Sequence, residues 1–236
     1  MGVAELGRCF SVEKAHKAQL LLSKKIIFED KLPKEIRYVA GVDVAYVNDL
    51  AIGAVAVLDY ANFNLVESQT VTCKSFFPYI PTLLSFREVP STVRCAKRLS
   101  ISPDVFLVDG HGFAHPYQCG FASHFGIVLG KPTIGVAKKR LIGEFEYEDL
   151  KNRNYAYLKH QGKIVGAALK TLPEHKPVYV SVGHMVSLET AIKIVKNCVC
   201  NSNIPEPIVK AHEIATKERK KLNSSSCFGK MATLKT

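Results

Sequence analysis

The chain has 236 residues, 47% of them hydrophobic and 22% charged, which suits one globular α/β unit and excludes wholesale disorder. Lysine and arginine number 32 against 21 aspartates and glutamates, and the net charge of +11 points to a polyanionic partner, nucleic acid before an anionic membrane surface. No apolar run approaches the roughly 18–20 residues of a membrane helix, and the N-terminus lacks the order of a signal peptide, so a cytoplasmic protein with no membrane partner is expected.

In chain order, residues 12–25 read as a helix with Val12, Ala15 and Leu22 on its apolar stripe. Three valine- and alanine-rich runs follow, 38–46, 51–59 and 63–73, and the short polar turns between them predict an antiparallel meander. Pro90 suits the first turn of a helix running through Arg98. The run 104–108, apolar from Val105 on, predicts a strand buried on both faces. A helix over 120–129 and strands over 133–137, 163–169 and 177–182 come next. Ser187 caps a helix through about Val199, with Glu189 in its first turn, and Pro207 starts a last helix through about Leu222. Meander first, then alternating helices and buried strands: the pattern is a mixed α/β sheet with helices on both faces. Residues 1–222 are expected to form one catalytic domain and 223–236 a polar, frayed tail. The seven cysteines (9, 73, 95, 119, 198, 200 and 227) form no C-x-x-C pair and read as reduced small hydrophobes of an intracellular protein.

Several segments can carry chemistry. Asp43 is a lone carboxylate in the apolar run Val39-Ala40-Gly41-Val42-Asp43-Val44-Ala45. Such a charge must be paired, turned to water from an edge strand, or bound to a metal. Asp109 ends the buried strand just before Gly110-His111-Gly112. It is either an ordinary Asp-Gly turn or a ligand site beyond a strand's carboxyl end. His111 and His115 have the spacing of a zinc helix, but Gly110, Gly112 and Pro116 argue against a helix there. Glu88 reads as a helix-dipole partner, or as a third carboxylate beside Asp43 and Asp109. An all-oxygen set of that kind suits Mg²⁺ or Mn²⁺ and phosphodiester hydrolysis. Phe76-Phe77-Pro78-Tyr79-Ile80-Pro81 is a proline-stiffened aromatic loop, packed on the core or acting as a wedge when a base leaves its stack. Lys138-Lys139-Arg140 suits a solvated face or phosphate contacts, and His184 suits the core as well as a site.

These segments together resemble the endonuclease V family, the deoxyinosine 3′ endonucleases. The resemblance is carried by Gly41-Val42-Asp43-Val44-Ala45-Tyr46, Pro78-Tyr79-Ile80-Pro81 with Leu84-Ser85-Phe86-Arg87-Glu88, and Val108-Asp109-Gly110-His111-Gly112 with Ala114-His115-Pro116. It continues through Gly135-Val136-Ala137-Lys138, Leu141-Ile142-Gly143, Ser181-Val182-Gly183-His184 and Ile204-Pro205-Glu206-Pro207. It implies a ribonuclease H-like fold and a phosphodiester hydrolase of the deoxyribonuclease V type. The implied reaction is Mg²⁺-dependent nicking, with Mn²⁺ substituting, at the second phosphodiester bond 3′ to a deaminated base, chiefly hypoxanthine. The products carry a 3′-hydroxyl and a 5′-phosphate. By motif position Asp43, Asp109 and Glu88 would hold the metal, and Tyr79 would be the wedge. Pro81, Gly110, His115 and Lys138 would touch substrate. His212, in Ala211-His212 after the Pro-Glu-Pro motif, would be the fourth catalytic position. The implied partner is DNA containing deaminated bases, or inosine-containing RNA, bound by a monomer.

The chain departs from the family pattern in places. Thr82 stands where glycine is common after the second proline, Phe113, Tyr117 and Gln118 replace arginines, and Ile208-Val209-Lys210 follows Pro207. These departures bear on substrate preference and leave the carboxylates intact. Two other readings share the fold: a non-cleaving nucleic-acid binder and an inosine-specific ribonuclease.

Overall fold

The computed structural model describes residues 11–232, with side chains as far as Ser224. Eight strands form one sheet: β1 (Tyr38–Val47), β2 (Leu50–Asp59), β3 (Leu65–Lys74), β4 (Val105–Asp109), β5 (Thr133–Ala137), β6 (Tyr155–His160), β7 (Lys163–Leu169) and β8 (Val178–His184). The helices are α1 (Val12–Ser23), α2 (Ser85–Ala96), α3 (Phe121–Leu129), α4 (Tyr147–Arg153), α5 (Leu188–Asn197) and α6 (Glu206–Ala232). The strand order is β3-β2-β1-β4-β5-β8-β7-β6. The first three strands are the expected antiparallel meander. β4 and β5 then run parallel to β1, while β8, β7 and β6 are joined antiparallel. This is the mixed α/β, ribonuclease H-like sheet.

The period-2 alternation of β1 and β4 sorts the core into two layers. Val39, Val105 and Leu107 join Ile194 and Val195 of α5 and Ile208 and Ala211 of α6 on one face. Ala40, Val42, Phe106 and Val108 join Val89 and Val93 of α2 and Phe121 and Phe125 of α3 on the other. Asp43 and Asp109 fall on the α6 face by the same alternation. The approach of α6 to β1 requires Gly41, because a Cβ there would stand 1.8 Å from the Pro207 carbonyl oxygen.

Four sequence expectations change. The α2 helix starts at Ser85, not at Pro90, which lies inside it. Glu88 therefore sits within the first turn rather than before the helix. Pro90 is the sixth residue of the helix and offers no N–H to the Phe86 carbonyl, so one rung of the ladder is missing there. The stripe of α1 is not the expected one: Ala15 and Gln19 are buried, while Val12, Leu20 and Leu21 are exposed. Helix α4 and strand β6 were not anticipated. The helix is a short run with only Leu150 buried, and the strand is at the sheet's edge, so neither has a full apolar face to leave a periodic signal. Finally, α6 continues beyond Leu222 to Ala232; residues 233–236 of the expected tail lie outside the described residues.

Ser187 caps α5 as expected, its Oγ accepting from the Thr190 N–H at 3.3 Å. Cys95, Cys119 and Cys198 are free and buried, Cys73 is half-buried and Cys200 is exposed; Cys9 and the side chain of Cys227 lie outside the described part. Among the described residues no helix is long and apolar enough to cross a membrane.

Candidate active site

The parallel pairing of β1 and β4 matches Val42 with Val108. One residue further on, Asp43 and Asp109 are therefore neighbours on adjacent strands, roughly 5 Å apart by strand spacing. The carboxyl ends of parallel strands are where α/β sheets gather their sites. Glu88 approaches from the first turn of α2. Its pKa is pushed up to about 8, first by burial and then by the charges of Asp43 and Asp109. Asp43 is likewise raised, by burial and by Asp109, against the lowering effect of His212. The mutual repulsion shows that the three carboxylates share one electrostatic site.

Two nitrogen-bearing side chains close on that site. Lys138 Nζ lies 2.6 Å from Asp109 Oδ2, and His212 Nδ1 lies 2.8 Å from Asp43 Oδ2. The acid side chains are largely covered while Lys138 and His212 are half-exposed, so the lysine and the imidazole form the outer rim. The donor set fits a hard divalent cation: all its ligand atoms are oxygens, and their repulsion is what such an ion would relieve. Among the described residues no three His, Cys, Asp or Glu side chains already stand as a closed cage.

Beside the carboxylates lies a pocket of about 280 Å³. Glu88, Asp109, Gly110, His115, Tyr79 and Pro81 are among its lining residues. Asp43, Lys138 and His212 do not line it; they meet it through Asp109. Tyr79 is 69% exposed, so it is not packed on the core. Its loop is nevertheless held at both ends. Arg87 Nη1 donates to the Phe77 carbonyl at 2.6 Å. At the far end Thr82 has a φ of 73°, a strained region for a β-branched residue. Gln19 Nε2 donates to its carbonyl at 2.8 Å, and His16 Nε2 lies 3.0 Å from its hydroxyl. The His16 ring stacks on Tyr117 at 3.7 Å. So the departures Thr82 and Tyr117 are joined to each other through α1.

The histidines do not form a zinc site. His111 Nε2 bonds the Lys139 carbonyl, His115 Nδ1 accepts from the Tyr117 N–H, and His124 Nδ1 meets Ser85 Oγ at 3.1 Å. Each is occupied separately. Burial lowers the pKa of His115 to about 4, so its ring is neutral where it lines the pocket. His184 accepts from the Ile27 N–H at 3.3 Å and belongs to the scaffold.

His124 carries a pH prediction. Burial lowers its pKa from 6.5 to about 4. Below the unfolded value the unfolded chain takes up a proton that the folded chain refuses. Stability is then complete above about pH 6.5 and falls as the pH drops toward 4, by on the order of 2 kcal/mol from this group. Urea unfolding of the wild type and His124→Gln at pH 7.5 and pH 5 measures it. The variant should show the smaller acid loss.

Sequence reading missed Gln19, His16 and Arg87 as supports of the loop. The one available signal was a glutamine at a position of α1 that turned out to be its buried face.

A ribonuclease H-like sheet with carboxylates at the ends of two neighbouring parallel strands defines the class: a nuclease. Comparison with known proteins narrows it. A family model described as Endonuclease V matches residues 21–213. The Endonuclease V of Thermofilum pendens is 44% identical over 217 residues, covering 92% of both chains. The crystal structure of Endonuclease V from Streptomyces avermitilis has a TM-score of 0.84 and 35% identity, covering 90% of this chain and 95% of that one. Endonuclease V of Ciona intestinalis, solved with a 24mer DNA containing an inosine followed by a ribo-adenosine, has a TM-score of 0.81 and 33% identity, covering 89% of this chain and 98% of that one. The chain belongs to the endonuclease V family.

Proposed function

We propose that the chain nicks a strand at the second phosphodiester bond 3′ to a deaminated base, chiefly hypoxanthine, in DNA repair. One observation carries the reading: the charges of Asp43 and Asp109 act on Glu88, and Glu88 and Asp109 line one pocket with the exposed Tyr79. Residues 1–222 act as one catalytic domain, working as a monomer in the cytoplasm. In support of the compartment, buried free cysteines suit a reducing environment.

Asp43, Asp109 and Glu88 are the residues that would hold Mg²⁺, with Mn²⁺ substituting. The ion would activate water and neutralise charge developing on the phosphate. Lys138 leaves Asp109 for a phosphate oxygen as the strand enters. His212, oriented by Asp43 through Nδ1, keeps Nε2 to position or deprotonate the attacking water. Cleavage leaves a 3′-hydroxyl and a 5′-phosphate. Tyr79 and Pro81 fill the gap left by the extruded base, and Gly110 and His115 wall the base itself.

The test is a nicking assay on paired oligonucleotides, one with a single deoxyinosine and one with adenine, with and without Mg²⁺, beside Asp43→Ala. A metal-dependent cut 3′ to inosine, absent in the variant, is expected; binding without cutting under any metal would leave a non-catalytic reader. In the same assay Tyr79→Ala should reduce the preference for inosine by about tenfold, since one base–aromatic stack is lost. Unchanged discrimination would remove Tyr79 from the wedge role. A second reading, cleavage of inosine-containing RNA, is favoured by the ribo-adenosine in the Ciona complex. Replacing single deoxynucleotides by ribonucleotides 3′ to the inosine separates the two through contacts to the 2′-hydroxyl.

A further inference from the structure

A second concavity adjoins the base pocket. It is a polar groove of about 530 Å³ lined by Arg140, Leu141, Glu144, Lys159 and His160, with Gln161 at its end. Leu141 lines both cavities and is 45% exposed, so it forms the ridge between them. The far wall is rigid. Lys159 is fixed to Glu144 by two backbone hydrogen bonds of 2.8 and 2.9 Å. The β6–β7 hairpin closes through Gln161 and Gly162 at φ 48° and 75°, the paired left-handed residues of a tight two-residue turn. Among the described residues neither Arg140 nor Lys159 is ion-paired, although Glu144 lies in the same groove. Two unneutralised cations therefore face a preformed polar channel that none of the catalytic residues uses.

A nucleotide whose base fills the pocket must lead its backbone out over the rim. Tyr79 and Pro81 occupy one stretch of that rim; Leu141 is another, and beyond it the groove begins. We infer that this groove is a subsite for the sugar–phosphate backbone of the substrate strand flanking the extruded base, with Lys159 and Arg140 contacting a phosphate there. The inference rests on the deaminated-base reading above. It adds an anchor beyond Leu141, in addition to the phosphate contact of Lys138 at the carboxylates.

The test uses the full chain in metal-free buffer and a series of deoxyinosine oligonucleotides, each with one phosphate neutralised as a methylphosphonate. Binding is read by fluorescence anisotropy for the wild type and for Lys159→Ala. At one flanking phosphate, neutralisation should weaken wild-type binding by about fivefold and have no further effect in the variant. At all other phosphates the two proteins should respond alike. Lys159→Ala should also reduce the slope of log affinity against log salt by about 0.7 to 0.9. Additive losses at every phosphate, with an unchanged salt slope, overturn the subsite. An adenine control keeps the two readings apart: a wild type with no preference for inosine defeats the base reading, while the phosphate coupling still decides the groove.

Discussion

Asp109→Asn should lower the single-turnover nicking rate by at least about 10³-fold, roughly 4 kcal/mol of barrier, while the protein stays folded. Asparagine preserves the shape at the end of β4 but removes the charge on which the site is organised. Asp109 lies next to Asp43 by strand register, raises the Glu88 pKa and receives Lys138 at 2.6 Å. Loss of its charge weakens the hold on a divalent cation. It also releases Lys138 and lets Glu88 and Asp43 ionise more readily. For the fold these effects oppose each other: one ion pair is lost, and repulsion within a cluster of carboxylates is relieved. Thermal unfolding should therefore change little, since active sites commonly carry strain of this kind. Rapid-quench cleavage with Mg²⁺ and a parallel melt test both halves. Near-native cleavage would mean that Asp109 is only a turn residue, the reading its Asp-Gly sequence also allowed.

Gly41→Ala should destabilise the protein by about 3 kcal/mol and lower its melting temperature by about 6–12 °C. No rotation of a side chain can relieve the clash, because the new methyl would meet backbone: Pro207 oxygen at 1.8 Å and Pro207 carbonyl carbon at 2.1 Å. The start of α6 must retreat from β1. Ile208 and Ala211, both essentially inaccessible, would lose packing against the sheet. His212 rides on the same turn, so its 2.8 Å contact with Asp43 would lengthen. Activity should fall together with stability, and a helix-face control such as Lys217→Ala, on an exposed position of α6, should change neither. Denaturant unfolding of both variants settles it. A Gly41→Ala protein as stable as wild type would show that α6 can shift freely on β1.

Much of this organisation was legible beforehand. The meander, the buried strand ending at Asp109 and the cap at Ser187 all follow from local rules of period, turn and capping. Lone carboxylates in apolar runs marked Asp43 and Asp109, because a charge in such a place needs a reason. The supports of the Phe76–Pro81 loop were not legible. His16 and Gln19 lie far along the chain from Thr82, and nothing in the spacing of α1 says that a glutamine rather than Leu20 or Leu21 turns inward. Strand β6 was missed for a similar reason, since an edge strand is recognised chiefly by the partner it pairs with.

Residue type and short-range order set the chemistry available to this protein: which carboxylates sit among apolar residues, how strong its positive charge is, and which motifs mark it as similar to the endonuclease V family. Which groups meet depends on long-range packing. Parallel pairing of β1 and β4 sets Asp43 beside Asp109, the close seat of α6 on Gly41 brings His212 to Asp43, and α1 reaches across to hold Thr82 at its strained φ. Each of these contacts joins segments distant in the chain, and its geometry is set by packing of the whole core, which no local pattern encodes.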